Sequence, residues 1–181
     1  METAAPLFYV SPAQINFQVP FGVSSSATVL VMTNGVLTLA TSVRIEPASP
    51  GIFTGTRGGA VQAAVLNQDA SPNSAANPAA AGSVIQIFTT GLGATNPPLS
   101  TGQPGASAAP LNQVVAAPLV FLSGAPAEVL LAGAAPGFVG LYQVNARVPA
   151  GTPAGSAVPL VLSANGFTSN TAVIAVRTAA P

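Results

Sequence analysis

The chain has 181 residues, of which 49% are hydrophobic and only 4% charged: four Arg, four carboxylates, and no Lys, His, Cys or Trp. An ordinary domain carries about 25% charged residues, yet no run of about 18 apolar residues is present that could span a bilayer. Zero net charge without a basic cluster excludes nucleic-acid binding by phosphate neutralisation, and the absence of Cys and His excludes disulfides, a structural zinc site and imidazole chemistry.

Met1 leads directly into Glu2-Thr3-Ala4-Ala5-Pro6. There is no basic n-region and no apolar h-region, so no signal peptide is read. A cytosolic domain seldom dispenses with Lys, and an extracellular or cell-surface location is expected. The next segment, Ala13-Gln14-Ile15-Asn16-Phe17-Gln18-Val19, alternates apolar and polar at period two. So do 83–89 and 142–148, with one slip each. Alternation of this length predicts half-buried strands, and Val, Ile, Thr and Phe suit a pleated surface. Turn signals separate the strands: Asn34-Gly35, Ser123-Gly124, Pro136-Gly137 and Asn165-Gly166. The two Asn-Gly pairs predict tight hairpins. Gly and Pro, 18 each, interrupt nearly every window long enough for a helix. The expected fold class is an all-β sandwich.

An internal repeat sets the domain organisation. Gln14-Ile15-Asn16-Phe17-Gln18-Val19-Pro20 matches Gln143-Val144-Asn145-Ala146-Arg147-Val148-Pro149. Leu30-Val31-Met32-Thr33-Asn34-Gly35 matches Leu160-Val161-Leu162-Ser163-Ala164-Asn165-Gly166, with one extra residue in the second copy. From that Gly, 36–50 aligns with 167–181 without a gap. Such self-similarity marks module boundaries. Residues 51–181 are read as one complete module, and 1–50 as a partial module containing only the C-terminal strands. The counterpart of 83–131 is missing from the first copy.

A resemblance appears at these same residues. Phe8 to Pro20, Val65-Leu66-Asn67-Gln68-Asp69, Asn73-Ser74-Ala75-Ala76-Asn77-Pro78, Ile87-Phe88-Thr89-Thr90-Gly91-Leu92-Gly93 and Gly140-Leu141-Tyr142-Gln143-Val144-Asn145 follow one another in order. Together they resemble the uncharacterised C-terminal domain of secreted Acidobacteria proteins, best known from Solibacter. Where that pattern has Gly after the Asp, this chain has Ala70. The resemblance implies an immunoglobulin-like β module at the end of large exported proteins, with no known activity and no known catalytic residues.

Candidate sites are few. Glu2, Glu46, Asp69 and Glu128 are widely separated, and neither His nor Lys is present to act as a base. Gly91-Leu92-Gly93-Ala94 lacks the third Gly and the helix of a dinucleotide loop. No enzyme activity and no cofactor are expected. Asn67, Asp69, Ser71 and Asn73 place oxygen side chains at alternate positions, like the start of a calcium loop. One carboxylate is too few for that role, and Pro72 interrupts the loop. Asx and Ser turns capping their own backbone are the favoured reading. The Gln14/Asn16 and Gln143/Asn145 pairs are read as a structural feature of a repeated hairpin. The ten Phe and Tyr residues are assigned to the core rather than to a carbohydrate platform.

The surface is the informative feature. Soluble β proteins guard their edge strands with Lys and other charges, and this chain has almost none. The partial module leaves Ile15, Phe17, Val19, Val29, Val31, Leu37, Leu39, Val43 and Ile45 in need of a partner surface. The expected function is an extracellular structural protein, a filament or surface-layer subunit. Strands of one copy would complete the partial module of the next, a head-to-tail contact that propagates into fibres. The alternatives are a passive spacer or anchoring module of a larger exported protein, and an adhesive module that binds surface glycans.

Overall fold

The computed structural model describes residues 2–23, 25–57 and 59–179. The chain is all-β, with no helix among the described residues. No helix is therefore long and apolar enough to cross a membrane.

Two compact units are present: Met1–Pro47 with Ser100–Gly102, and Ala48–Leu99 with Gln103–Pro181. The repeat places the boundary at Pro50, whereas the contacts place it at Pro47. The reason is local: Ala48 is buried, and the Ser49 N–H donates to the Gly91 carbonyl at 2.8 Å, which seats this stretch in the second unit.

The first unit consists of two hairpins. Strand β1 (Leu7–Ser11) pairs antiparallel with β2 (Gln14–Phe17), and β3 (Ser26–Thr33) with β4 (Val36–Arg44). Asn34 and Gly35 join β3 to β4 with φ of 53° and 77°. Both lie in the left-handed region that a two-residue hairpin turn demands, which Asn tolerates and Gly adopts freely. Directly opposed residues share a face. Ala27, Val29 and Val31 of β3 thus lie with Val43, Thr41 and Leu39 of β4, while Leu30 and Met32 point the other way. The register slips at Thr38, whose hydroxyl donates to the Val31 carbonyl at 3.0 Å. At the aligned position of the second copy, Ser169 Oγ accepts from Leu162 N–H at 2.9 Å. A hydroxyl therefore meets the preceding strand after both Asn-Gly turns, donating to a carbonyl in the first copy and accepting an N–H in the second.

Among the described residues, the second unit holds fourteen strands in chain order. The first seven are β5 (Gly51–Ile52), β6 (Thr54–Arg57), β7 (Ala60–Ala63), β8 (Val65–Leu66), β9 (Ala79–Ala80), β10 (Val84–Thr90) and β11 (Thr95–Asn96). The others are β12 (Gln113–Val114), β13 (Leu119–Leu122), β14 (Ala125–Ala134), β15 (Tyr142–Arg147), β16 (Gly155–Ala164), β17 (Phe167–Thr168) and β18 (Ala172–Arg177). The hydrogen-bonded order is β5-β10-β15-β14-β13-β16-β18-β9. Strand β14 changes partner along its length, pairing β13 from Ala125 to Ala127 and β15 from Glu128 onward. Burial alternates along β10 and β15, as the sequence pattern requires of strands with one covered face. Ile85, Ile87, Val144 and Ala146 from these strands join Val120, Leu122, Leu160, Leu162 and Ile174 in one aliphatic core.

The Asn165-Gly166 turn has φ of 49° and 83°, matching its counterpart in the first unit. Ser123-Gly124, between β13 and β14, adopts the same geometry at 49° and 80°. Ser suits the left-handed region less well than Asn. Ser123→Asn is expected to stabilise the fold by about 0.5 kcal/mol, read as a rise of roughly 1–2 °C in Tm by calorimetry.

Candidate functional site

The Asn67–Asn73 loop follows β8 and spends its polar atoms on itself. Asn67 Oδ1 accepts from Asn73 Nδ2 at 2.9 Å, and Asn67 Nδ2 donates to the Asn77 carbonyl at 2.9 Å. Asn73 is 1% exposed and clamps the loop to β18: its Nδ2 donates to the Ala175 carbonyl at 2.9 Å, and its Oδ1 accepts from Ala175 N–H at 2.8 Å. Asp69 is exposed and accepts from the Ser71 hydroxyl and from Ser71 N–H. These bonds, the hydroxyl's first, hold its carboxyl below the usual Asp range. Among the described residues no three acidic, His or Cys side chains gather in one place. Asn67 Oδ1, Asp69 Oδ1 and Asn73 Oδ1 are thus each engaged by N–H or O–H donors. Asn73→Ala strands two buried backbone groups and is expected to cost about 2 kcal/mol, whereas Asp69→Ala should change stability by less than about 0.5 kcal/mol. Thermal melts with and without EDTA are expected to coincide. A chelator-dependent melt, or a larger effect at Asp69 than at Asn73, would instead indicate a calcium site.

Two surface depressions accompany the second unit. One, of about 190 Å³, is lined by Leu131, Gly133, Gln143 and Asn145 among others, and the second, of about 630 Å³, by Thr95, Asn96, Pro98 and Gln113–Val115. Neither is lined by a charged group.

The repeated Gln/Asn pairs keep their geometry in both copies. Gln14 Nε2 donates to Asn16 Oδ1 at 2.7 Å, and Gln143 Nε2 to Asn145 Oδ1 at 2.8 Å. In the second unit the ladder continues across the sheet, from Gln143 Nε2 to Gln86 Oε1 at 3.3 Å. Among the described residues of the first unit, β2 pairs with β1 alone and no strand stands where Gln86 would be.

The repeat also allows a direct comparison of burial. Val144 and Ala146 of β15 are 0% exposed, whereas their counterparts Ile15 and Phe17 in β2 are each 37% exposed. Leu160 and Leu162 of β16 are fully buried, while their counterparts Leu30 and Met32 of β3 are exposed, and Val29 and Val31 are half-buried. Val43 and Ile45 are also half-buried, and Val19, Leu37 and Leu39 are exposed. Of the nine apolar residues singled out in the partial module, none is buried.

The expectation that the aromatic residues form the core is overturned. Tyr142 alone among them is buried, and its hydroxyl donates to the Gly93 carbonyl at 2.6 Å. Burial pushes its pKa up from the ordinary tyrosine value. Phe8, Tyr9, Phe17, Phe21, Phe53, Phe138 and Phe167 are exposed, and Phe88 and Phe121 half-buried. The cause is the alternation itself: along β10 the inward positions are Ile85 and Ile87, which turns Phe88 outward. Leu7, Val10, Leu30 and Met32 are further exposed apolar residues that the sequence reading passed over. For Leu30 and Met32 the signal was present, since both faces of β3 are apolar.

Charge is sparse and partly paired. Arg147 meets Glu128 across the β14–β15 ladder at 2.9 Å, and Arg44 pairs with Glu46. Compared with known proteins, the chain matches no family model, no curated sequence and no solved structure.

Proposed function

We propose that the chain is an extracellular structural protein, a subunit of a filament or surface layer. The second unit is read as an immunoglobulin-like β-sandwich, and the first as a partial copy of it that joins neighbouring subunits by strand pairing. The sandwich reading draws on residues of β10 and β15 sharing a single buried core with residues of β13, β16 and β18. The resemblance to modules of exported Acidobacteria proteins agrees with it. The observation that carries the functional reading is the contrast in burial: positions fully covered in the complete copy are 37% exposed at Ile15 and Phe17. A scarcity of acid–base groups supports a non-enzymatic role.

Negative-stain microscopy of the purified chain tests the proposal, with filaments or sheets as the expected result. Discrete particles at all concentrations would favour a passive spacer. A second reading, an adhesive module for surface glycans, draws on the exposed rings of Phe8, Tyr9 and Phe138. Specific signals on a glycan array would favour it.

A further inference from the structure

We propose that two copies of the chain pair antiparallel along the open edge of β2, about a two-fold axis at Ile15. Gln14 of each copy then lies opposite Asn16 of the other, and Phe17 opposite Ala13. This rests on the strand-pairing reading above but replaces its head-to-tail contact with a two-fold one: β2 closes a pair of copies, and growth of the pair into a filament or layer falls to other exposed apolar residues such as Leu30 and Met32 of β3.

The complete unit shows which edge is open. Strand β15 is paired on both sides, by β10 and by β14. Successive residues of an antiparallel strand direct their backbone groups to opposite edges. Val148 bonds to the β10 side, its N–H donating to Ser83 O at 2.9 Å and its carbonyl accepting from Gly82 N–H at 2.8 Å. By the two-residue period, Val144 and Ala146 also face β10, while Gln143 and Asn145 face β14. In the first unit, Gln18 N–H donates to Pro6 O at 3.0 Å, towards β1. Gln14 and Asn16 share its parity and face β1, which therefore stands where β14 stands in the complete copy. Ile15 and Phe17 turn their backbone groups to the edge that β10 fills in the complete copy.

The complete unit also shows what fits there. Ile87 lies opposite Val144, and Gln86 lies opposite Asn145. The occupant is an uncharged antiparallel strand with an apolar residue opposite Ile15 and a Gln opposite Asn16. Strand β10 of a second copy cannot supply it while folded, because β15 holds one of its edges and β5 and β8 the other. Strand β2 of a second copy can. All its residues are exposed and uncharged. With Ile15 opposite Ile15, Gln14 meets Asn16 in both directions, and the large Phe17 side chain sits opposite the small Ala13. The register is self-complementary, as an isologous contact requires.

The chain has no Cys, so introduced thiols report on this contact alone. Gln14 and Asn16 would face each other as a non-hydrogen-bonded pair, with Cα atoms about 4.5 Å apart, within disulfide reach. Full-length Gln14→Cys and Asn16→Cys chains are mixed in equal amounts and oxidised mildly. The mixed disulfide is expected to exceed either homodimer by about tenfold. A chance mixture of the three products, or no cross-link at all, overturns the proposal. Electron microscopy and sedimentation of the wild-type chain separate the two levels. Assemblies that persist without the mixed cross-link leave strand pairing standing and refute the β2 register. A chain that is monomeric throughout and yields no cross-link refutes both.

Discussion

Removing residues 1–47 is expected to leave a folded protein that no longer assembles. Every residue of the buried aliphatic cluster lies at or beyond Ala48, so the deletion takes nothing from that core. Ala48 and the Ser49–Gly91 hydrogen bond are retained, which makes Pro47 a safer cut than the repeat boundary at Pro50. The melting temperature of the remainder should lie within about 2 °C of that of the unassembled full chain. What is lost is the uncovered apolar surface. Fully burying a large apolar side chain is worth roughly 1.5–3 kcal/mol. Ile15, Phe17, Val29, Val31 and Val43 are already partly covered, so completing their burial yields on the order of 1 kcal/mol each. Their sum, about 5 kcal/mol, is comparable to the whole stability of a small domain. The contact carries little charge, so raising salt from about 0.05 M to about 1 M should leave assembly unchanged. Sedimentation of both chains at matched concentration decides the matter. If the truncated chain assembles as well as the full one, the partial copy is not the connector.

Much of the strand pattern was legible in the sequence because it is local. Strand β10 falls at Val84–Thr90 against an expected 83–89, and β15 at Tyr142–Arg147 against 142–148. Both Asn-Gly pairs carry their own turn chemistry and need no distant partner. The aromatic residues were misplaced because alternation states which residues share a face but not which face is covered. That choice is made by partners far along the chain: Ile85 and Ile87 are inward because Val144 and Ala146 lie beside them. Asn73 was read as a turn residue, and its burial depends on Ala175, 102 residues away. The open edge of β2 was equally hidden, since it follows from which side β1 occupies. The repeat predicts that the counterpart of 83–131 is absent from the first copy, and the hydrogen bond from Gln18 to Pro6 shows which edge of β2 is taken by β1.

Gly91→Ala is expected to be the most damaging single substitution considered for the second unit. In the sequence this residue belongs to a glycine-rich turn after a strand, a place where a nucleotide loop is first sought and then excluded. Its role is backbone approach. A Cβ at this position would lie 1.9 Å from the Ser49 carbonyl oxygen and 2.6 Å from the Ser49 carbonyl carbon. Neither atom belongs to a side chain that could swing aside. The Ser49 N–H donates to the Gly91 carbonyl, so the two backbones are fastened at the point where the methyl group would intrude. With φ at +70°, an L side chain also adds about 1–2 kcal/mol of strain. Forcing the backbones apart adds roughly 1–3 kcal/mol. The total, about 2–5 kcal/mol, corresponds to a fall in Tm on the order of 10 °C. Gly166→Ala supplies the control. It shares the left-handed backbone, at φ +83°, but nothing lies within 4 Å of its Cβ position. It should lose only the strain term, about 1 kcal/mol, or roughly 3 °C. Thermal melts of the two variants side by side separate conformational strain from close approach. Equal losses would mean that the contact between Ser49 and Gly91 relaxes freely and that left-handed strain alone accounts for both.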